Sequence, residues 1–213
     1  MNSQHAQAIW EKAASPRDNH QYLCATRIGR HGVRRVRRAH IRMDQLGRLV
    51  VPMYDKRGNL KSLQFITTLG KEQFLNDVKP LALSCPFFND RAGRKTVHIC
   101  QSIADAVTVA MITKQTIVCA FGAGSLTKIA KQYQERFPDS QIVICAVNDA
   151  AGRNQGCTAA KAVGGRLVIP PSEKECTWNA FYCSKGKAGK AVVRRYLKLF
   201  AGTETREAKK EAS

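Results

Sequence analysis

Between residues 97 and 149 the chain alternates short, β-branched apolar runs with stretches of helical pattern. No other feature constrains the fold as much. The runs occupy residues 97–100, 116–120 and 141–146, and two helix-like segments of about a dozen residues separate them. Runs this short and rich in Val and Ile read as strands, and helical connections between them imply parallel strands with crossovers. In an open parallel sheet the chemistry gathers beyond the carboxyl ends of the strands. Here those ends carry Gln101 after the first run and Val147-Asn148-Asp149 after the third.

With those residues in place, the segment resembles the Toprim domain of plasmid- and phage-type primases, a fold shared with topoisomerases. Members read strand-Glu-Gly-helix, then a strand ending Asp-x-Asp, then a later turn bearing aspartates. The resemblance implies a glutamate acting as general acid or base and aspartates that hold a divalent metal. In this chain the glutamate position is Gln101 and the next glycine is Ser102. The first aspartate of Asp-x-Asp is Val147, which leaves Asp149. The later segment is Thr177-Trp178-Asn179-Ala180, which keeps the asparagine and has lost both acids. The expectation is therefore a kept scaffold with a degenerate catalytic set.

The chemistry of the replacements points the same way. A glutamine does not exchange a proton near neutral pH, so Gln101 cannot act as acid or base. Val147 sets an aliphatic branch where a ligand would stand. Magnesium takes one or two carboxylates plus water and phosphate, and two-metal chemistry needs more anionic ligands than that. The expectation is a pseudo-enzyme with no catalytic residue, no bound metal and no cofactor. Asp105, four residues after Gln101 and on the same helix face, is the one candidate for a displaced carboxylate. It reads instead as an acid on a solvated outer face.

Upstream, residues 6–14 have the pattern of an amphipathic helix anchored by Ile9 and Trp10 and ended by Ser15-Pro16. His20-Gln21-Tyr22-Leu23 leads into a basic stretch with Arg27, Arg30, Arg34, Arg35, Arg37 and Arg38. Guanidinium groups at that density suit bidentate contacts to phosphate or an acidic partner, the bland alternative being a solvated basic loop. Residues 47–54 and 60–66 flank Asp55-Lys56-Arg57-Gly58-Asn59 as a β-hairpin. Leu69-Gly70-Lys71-Glu72-Gln73-Phe74-Leu75 follows. The order of these short motifs is similar to the segment that precedes Toprim in the same primases, so the resemblance extends over residues 6–200. The expected nucleic-acid or partner contacts are the six arginines, Lys71, and Arg194 and Arg195 on a final helix over 191–200. The Gly-rich turn at 122–126 opens a helix and reads either as an anion site or as a tight connection.

Turn signals at Pro86, Asn89-Asp90 and Gly93 place a connection at 80–94. The predicted organisation is a basic α+β unit over 1–92 and a Toprim-like α/β unit over 93–201. The latter is a parallel sheet of about four strands, the fourth at 166–169, flanked by helices. The charged tail, 202–213, is expected to be disordered.

Composition sets the partner class. Thirty-five Lys and Arg against 16 Asp and Glu give a net charge of +19, which favours a polyanionic or acidic partner. None of the eight cysteines forms a Cys-x-x-Cys pair and several lie in strand runs, so they read as buried free thiols in a reducing compartment. No apolar run approaches the roughly 20 residues of a membrane helix and no signal peptide is evident, so no membrane insertion and a cytoplasmic location are expected. Together these features predict a non-catalytic binding protein of a mobile element that blocks DNA transfer or replication. The most specific form is fertility inhibition of a co-resident plasmid through its coupling ATPase or transfer apparatus, and single-stranded DNA is the other expected partner. The alternatives are an active small primase or nuclease with a rearranged metal site, and a single-stranded nucleic-acid-binding accessory protein. With 7% aromatic residues, stacking platforms for bases are few in that last case.

Overall fold

Two runs rich in apolar residues, at 49–54 and 60–66, close into a hairpin whose turn is built by Asp55. Its Oδ1 accepts the N–H groups of Arg57 and Asn59 at 2.9 Å each, and Gly58 takes φ +85°. The computed structural model describes residues 3–29, 41–77, 81–87 and 95–199. Strands β1 (Arg42–Met43), β2 (Leu49–Tyr54), β3 (Leu60–Ile66) and β4 (Glu72–Phe74) form an antiparallel sheet in that order. Helix α1 (Ser3–Lys12) lays Ala6 and Trp10 on one face, against Val50, Leu63 and Phe65. The opposite face, with Leu49, Val51, Met53 and Ile66, shares a core with the second half of the chain. Both faces of β2 are covered, which is why its apolar residues run continuously.

The second sheet has the order β5-β7-β6-β8-β9, from β5 (Cys85–Phe87), β6 (Thr96–Cys100), β7 (Thr116–Cys119), β8 (Gln141–Cys145) and β9 (Arg166–Val168). Strands β6 to β9 are parallel, while β5 joins β7 antiparallel at the edge. The expected strands at 97–100, 116–120, 141–146 and 166–169 are thus present, with a fifth beside them. That fifth strand lies inside the stretch read as a connection, so the boundary at residue 92 leaves it on the wrong side. Pro86 is a turn signal in the sequence, yet an edge strand tolerates proline because one side of its ladder needs no N–H. Tyr54 and Ser84 exchange backbone hydrogen bonds at 2.8 and 2.9 Å, so β2 leads directly into the edge of the second sheet.

Helix α2 (Gln21–Ala25), α3 (Ile103–Thr113), α6 (Trp178–Ser184) and α7 (Gly189–Leu199) contribute to the core between the sheets. Helices α4 (Leu126–Arg136) and α5 (Ala150–Lys161) cover the outer face of the parallel sheet. The register pairs Cys85 with Cys119, Cys119 with Cys100 and Cys100 with Cys145, so four thiols stand side by side on the inner face. All four are buried, and burial pushes the thiols of Cys85, Cys100 and Cys119 up. The cysteines are free as expected, but only these four are buried; Cys157, Cys176 and Cys183 are half-buried and Cys24 is exposed. No helix of the described residues is long and apolar enough to cross a membrane.

Candidate functional site

Helix α3 leaves β6 on the inner face, whereas α5 leaves the neighbouring strand β8 on the outer face. The carboxyl ends of β6 and β8 therefore flank the point where the connections switch sides, the usual place for a crevice in an open sheet. Gln101 and Ser102 follow β6, and Val147, Asn148 and Asp149 follow β8, so both motifs of the sequence meet there. The third motif joins them through backbone contacts. The N–H of Asn148 donates to the carbonyl of Cys176 at 3.0 Å, and its Nδ2 donates to the carbonyl of Ser172 at 2.7 Å. That tie places Thr177 and α6 beside the switch point.

Each hydroxyl or acid in these motifs is occupied at a helix start. Ser102 caps α3 by accepting the N–H of Asp105 at 3.2 Å. Asp149 caps α5 by accepting the N–H of Gly152, and Thr177 caps α6 by accepting the N–H of Ala180 at 3.0 Å. Gly152 is required because a Cβ there would collide with the Val147 carbonyl. Val147 and Gln101 are half-buried and carry no charge.

Asp105 departs from the solvated position expected of it. It is fully buried rather than solvated. Its Oδ1 accepts the N–H of Asn179 at 2.8 Å, so the carboxylate holds the first turn of α6. Burial raises its carboxyl to about 6, against the pull of Asn179 N–H and the hydroxyls of Ser102 and Thr177, while Glu72 adds a further push upward. Its Oδ2 has no well-formed hydrogen bond. The signal was available: α3 reads IADAVTVAMIT, apolar around its whole circumference, and such a helix is buried on all sides. Asn179, kept from the motif, donates from Nδ2 to the Thr26 carbonyl at 2.8 Å and to Thr108 Oγ1 at 2.9 Å. It thereby fastens α6 to α3 and to the N-terminal half.

A family model described as a Toprim domain matches residues 96–188. Residues 96–188 are a Toprim domain. The chain is thus Toprim-like over those residues and primase-like in fold. Two curated proteins of Escherichia coli, each named DNA primase TraC, are 28% identical over 131 residues and 29% identical over 144 residues. The matches cover 56% and 62% of this chain but 9% and 14% of those relatives, so the chain spans a small fraction of their length. In fold, the chain is similar to the primase fragment of the bacteriophage T7 primase-helicase protein, with TM-score 0.61 and 17% identity over 85% of this chain and 79% of that one. A DnaG primase catalytic domain bound to single-stranded DNA gives TM-score 0.61 and 14% identity over 92% and 78% of the two chains.

The divalent metal implied by the Toprim fold does not fit the residues present. At the matched positions stand an amide, an aliphatic side chain, a hydroxyl and a methyl group, two of which have no atom able to ligate, and Asp149 caps its helix. Among the described residues no three His, Cys, Asp or Glu side chains converge to hold an ion.

The expected cationic contacts distribute unevenly. Arg27 is exposed with φ +52° and follows the Thr26 carbonyl that Asn179 holds, so it stands next to α6 of the Toprim domain. Arg195 is exposed on α7 and Arg194 half-buried. Lys71 is exposed, after the turn in which Gly70 packs on Tyr22. Arg30, Arg34, Arg35, Arg37 and Arg38, and the tail 202–213, lie outside the described residues.

Proposed function

We propose that this chain is a catalytically inactive primase-like binding protein of a mobile element that interferes with DNA-transfer or replication machinery. In its most specific form it is a fertility-inhibition protein that suppresses conjugation of a co-resident plasmid. The observation that carries this reading is that Gln101 and Val147 follow the adjacent strands β6 and β8 at the switch point, with Asp149 capping α5. A site of this composition has neither a general acid nor anionic ligands to spare, while the strands and helices that flank it are present. The similarity to the plasmid-type primases and the charge of +19 support a partner among DNA and the proteins that handle it. A coupling ATPase or single-stranded DNA, met in the cytoplasm, is the partner this reading favours.

The test is conjugation from donor cells that express the chain beside an unrelated conjugative plasmid. A fall in transfer of orders of magnitude, equal in wild type and Asp149→Ala, is the expected result. Transfer at the normal frequency retires fertility inhibition. Reversing charge in the cluster at 34–38 should restore transfer if that cluster is the contact.

The similarity to DNA primases supports a second reading, an active primase or nuclease with a rearranged site. It requires magnesium-dependent primer synthesis or nicking by the purified chain that Asp149→Ala abolishes. On the first reading no such product forms, and Gln101→Glu together with Val147→Asp is the substitution that would begin to restore magnesium binding.

A further inference from the structure

Three hairpin turns of the first sheet are built alike, and two of them carry an exposed leucine where the other carries an arginine. They are Asp44-Gln45-Leu46-Gly47-Arg48, Asp55-Lys56-Arg57-Gly58-Asn59 and Thr67-Thr68-Leu69-Gly70-Lys71. In each, the first N–H donates to the fifth carbonyl at 3.0 Å and the fourth N–H donates back to the first carbonyl at 3.0 or 3.1 Å. The glycines take φ of +75°, +85° and +85°. The third residue stands at the tip, where Leu46 is 78% and Leu69 90% exposed. Arg57, also exposed, shows that the turn makes no demand for an apolar residue there. A lone exposed leucine is ordinary on a protein surface. The same exposed leucine at the same position of two like turns is a pattern.

The register sets these two turns level. Met43, Leu49, Ile66 and Glu72 form one row across the four strands. The next row outward is Asp44, Arg48, Thr67 and Lys71, the first and last residues of both turns. The turns therefore lie at one end of the sheet, two strand spacings or about 10 Å apart. A shift of two strands relates one to the other, so both tips project past the same end. The turn with Arg57 is at the opposite end.

Charge around the tips is mixed. Lys71 is exposed, and Lys12 and Arg17, exposed too, line the cleft that Leu46 and Thr68 also line. Asp44 is held by Arg48 at 2.7 Å, and Glu72 lies in the row of the opposite face with Leu49 and Ile66. Glu11 and Asp18 adjoin Lys12 and Arg17 in sequence. The long-range attraction is thus that of the whole chain, +19.

The spacing of the leucines selects the partner. A protein interface of standard size covers about 800 Å² on each side around a continuous apolar centre. Here Arg48 and Thr67 stand between the two tips. A second copy of the chain brings the same charge of +19 and is repelled. A bilayer accepts each leucine singly, needs no matching shape, and meets positive charge with anionic headgroups. We infer that this end of the sheet docks on an anionic lipid surface, with Leu46 and Leu69 set into the boundary between headgroups and acyl chains. The contact is peripheral. It uses no residue of the switch point, so it stands or falls apart from the proposed function.

Co-sedimentation of the full chain with vesicles of phosphatidylglycerol and phosphatidylcholine in equal parts tests it. The chain should partition onto the vesicles, and Leu46→Ser with Leu69→Ser should weaken partition about tenfold or more. Tm should not change, because the turn accepts a polar third residue at Arg57. Arg57→Ser, at the far end, should alter partition by less than about twofold. A tryptophan at the tip separates insertion from adsorption by charge alone. Against the emission of the buried Trp10 and Trp178, that of Leu69→Trp should shift to the blue when vesicles are added, and that of Arg57→Trp should not. Partition equal in wild type and the double serine variant, or an unshifted Leu69→Trp, overturns the assignment. Absence of partition also overturns it and gives the two turns to a protein partner.

Discussion

Asp105 and His98 lie on neighbouring elements, the first on α3 and the second on β6, and burial acts on them in opposite directions. The Asp105 carboxyl is raised to about 6 from its ordinary 3.8, and His98 is lowered to about 4 from 6.5, each chiefly by loss of hydration. For Asp105 the folded chain keeps a proton that the unfolded chain releases between pH 4 and 6. Its contribution is fully present below pH 4 and is lost as pH rises through 6, by about 3 kcal/mol. For His98 the unfolded chain takes up a proton that the folded chain refuses. Its contribution is present above pH 6.5 and is lost as pH falls through 4, again by about 3 kcal/mol. The two slopes oppose each other, so these residues together leave the stability of the wild type nearly flat over pH 4–6. Asp105→Asn keeps an oxygen for the N–H of Asn179 and removes the charge. It should raise Tm at pH 7.5 by several degrees, at roughly 2–4 °C per kcal/mol, with no gain at pH 4. His98→Leu should tilt the profile the other way. Thermal melts across pH 4–8 check both, and a difference between Asp105→Asn and wild type that is equal at all pH values would sink the account. Neither residue's burial is visible from its own identity. It becomes legible from its neighbours: α3 is apolar all round, and His98 stands between Val97 and Ile99 in a strand whose two faces are both covered.

At the scale of elements, the strands of the Toprim domain could be read from sequence to within a residue or so, because β-branched runs between helical patterns have few other solutions. Strand β5 could not. Its three residues have no periodicity to show, Pro86 argues against a strand, and its pairing with β7 comes from a distant part of the chain. The caps show the same division. Ser102, Asp149 and Thr177 are all cap-type residues just before helices, so their local role was open to reading, whereas the reach of Asn179 across to Thr26 was not. Two substitutions separate local from long-range roles. Asp149→Ala removes one cap and should cost about 1 kcal/mol, most of it recovered in Asp149→Asn. Asn179→Ala should cost more, roughly 2–3 kcal/mol, because it leaves the buried Thr108 hydroxyl and the Thr26 carbonyl without the amide that joined them. Denaturant melts rank the two, and an Asp149→Ala loss as large as that of Asn179→Ala would mean that Asp149 does more than cap a helix.

For the molecule as a whole, the deciding quantity is charge. An excess of +19 on 213 residues is far from what solubility needs, and a polyanion is the partner that turns it into binding energy by releasing condensed counterions. The sequence discloses the size of that excess, but where the cations face depends on packing. Arg27 lies beside α6 because Asn179 holds Thr26, and Arg195 is presented by a helix whose other side, through Val193 and Leu197, is sunk in the shared core. If single-stranded DNA lies along this side of the molecule, log K should fall linearly with log salt. Each phosphate contact then adds about 0.7 to the slope. Replacing Arg27, Arg194 and Arg195 by Gln should lower that slope by about 2, whatever the base sequence of the strand. An unchanged slope would move the DNA to another face. Full loss of binding with these three arginines replaced would instead make them the main site and leave the remaining basic residues, the cluster at 30–38 among them, for a protein partner. The same titration in the presence and absence of magnesium bears on the switch point. On the proposed reading, with Gln101 and Val147 in place of acids, the phosphate backbone would meet no metal bridge there, and magnesium should act only as a competing counterion that weakens binding. Magnesium that strengthens binding would show that Asp149 still holds an ion.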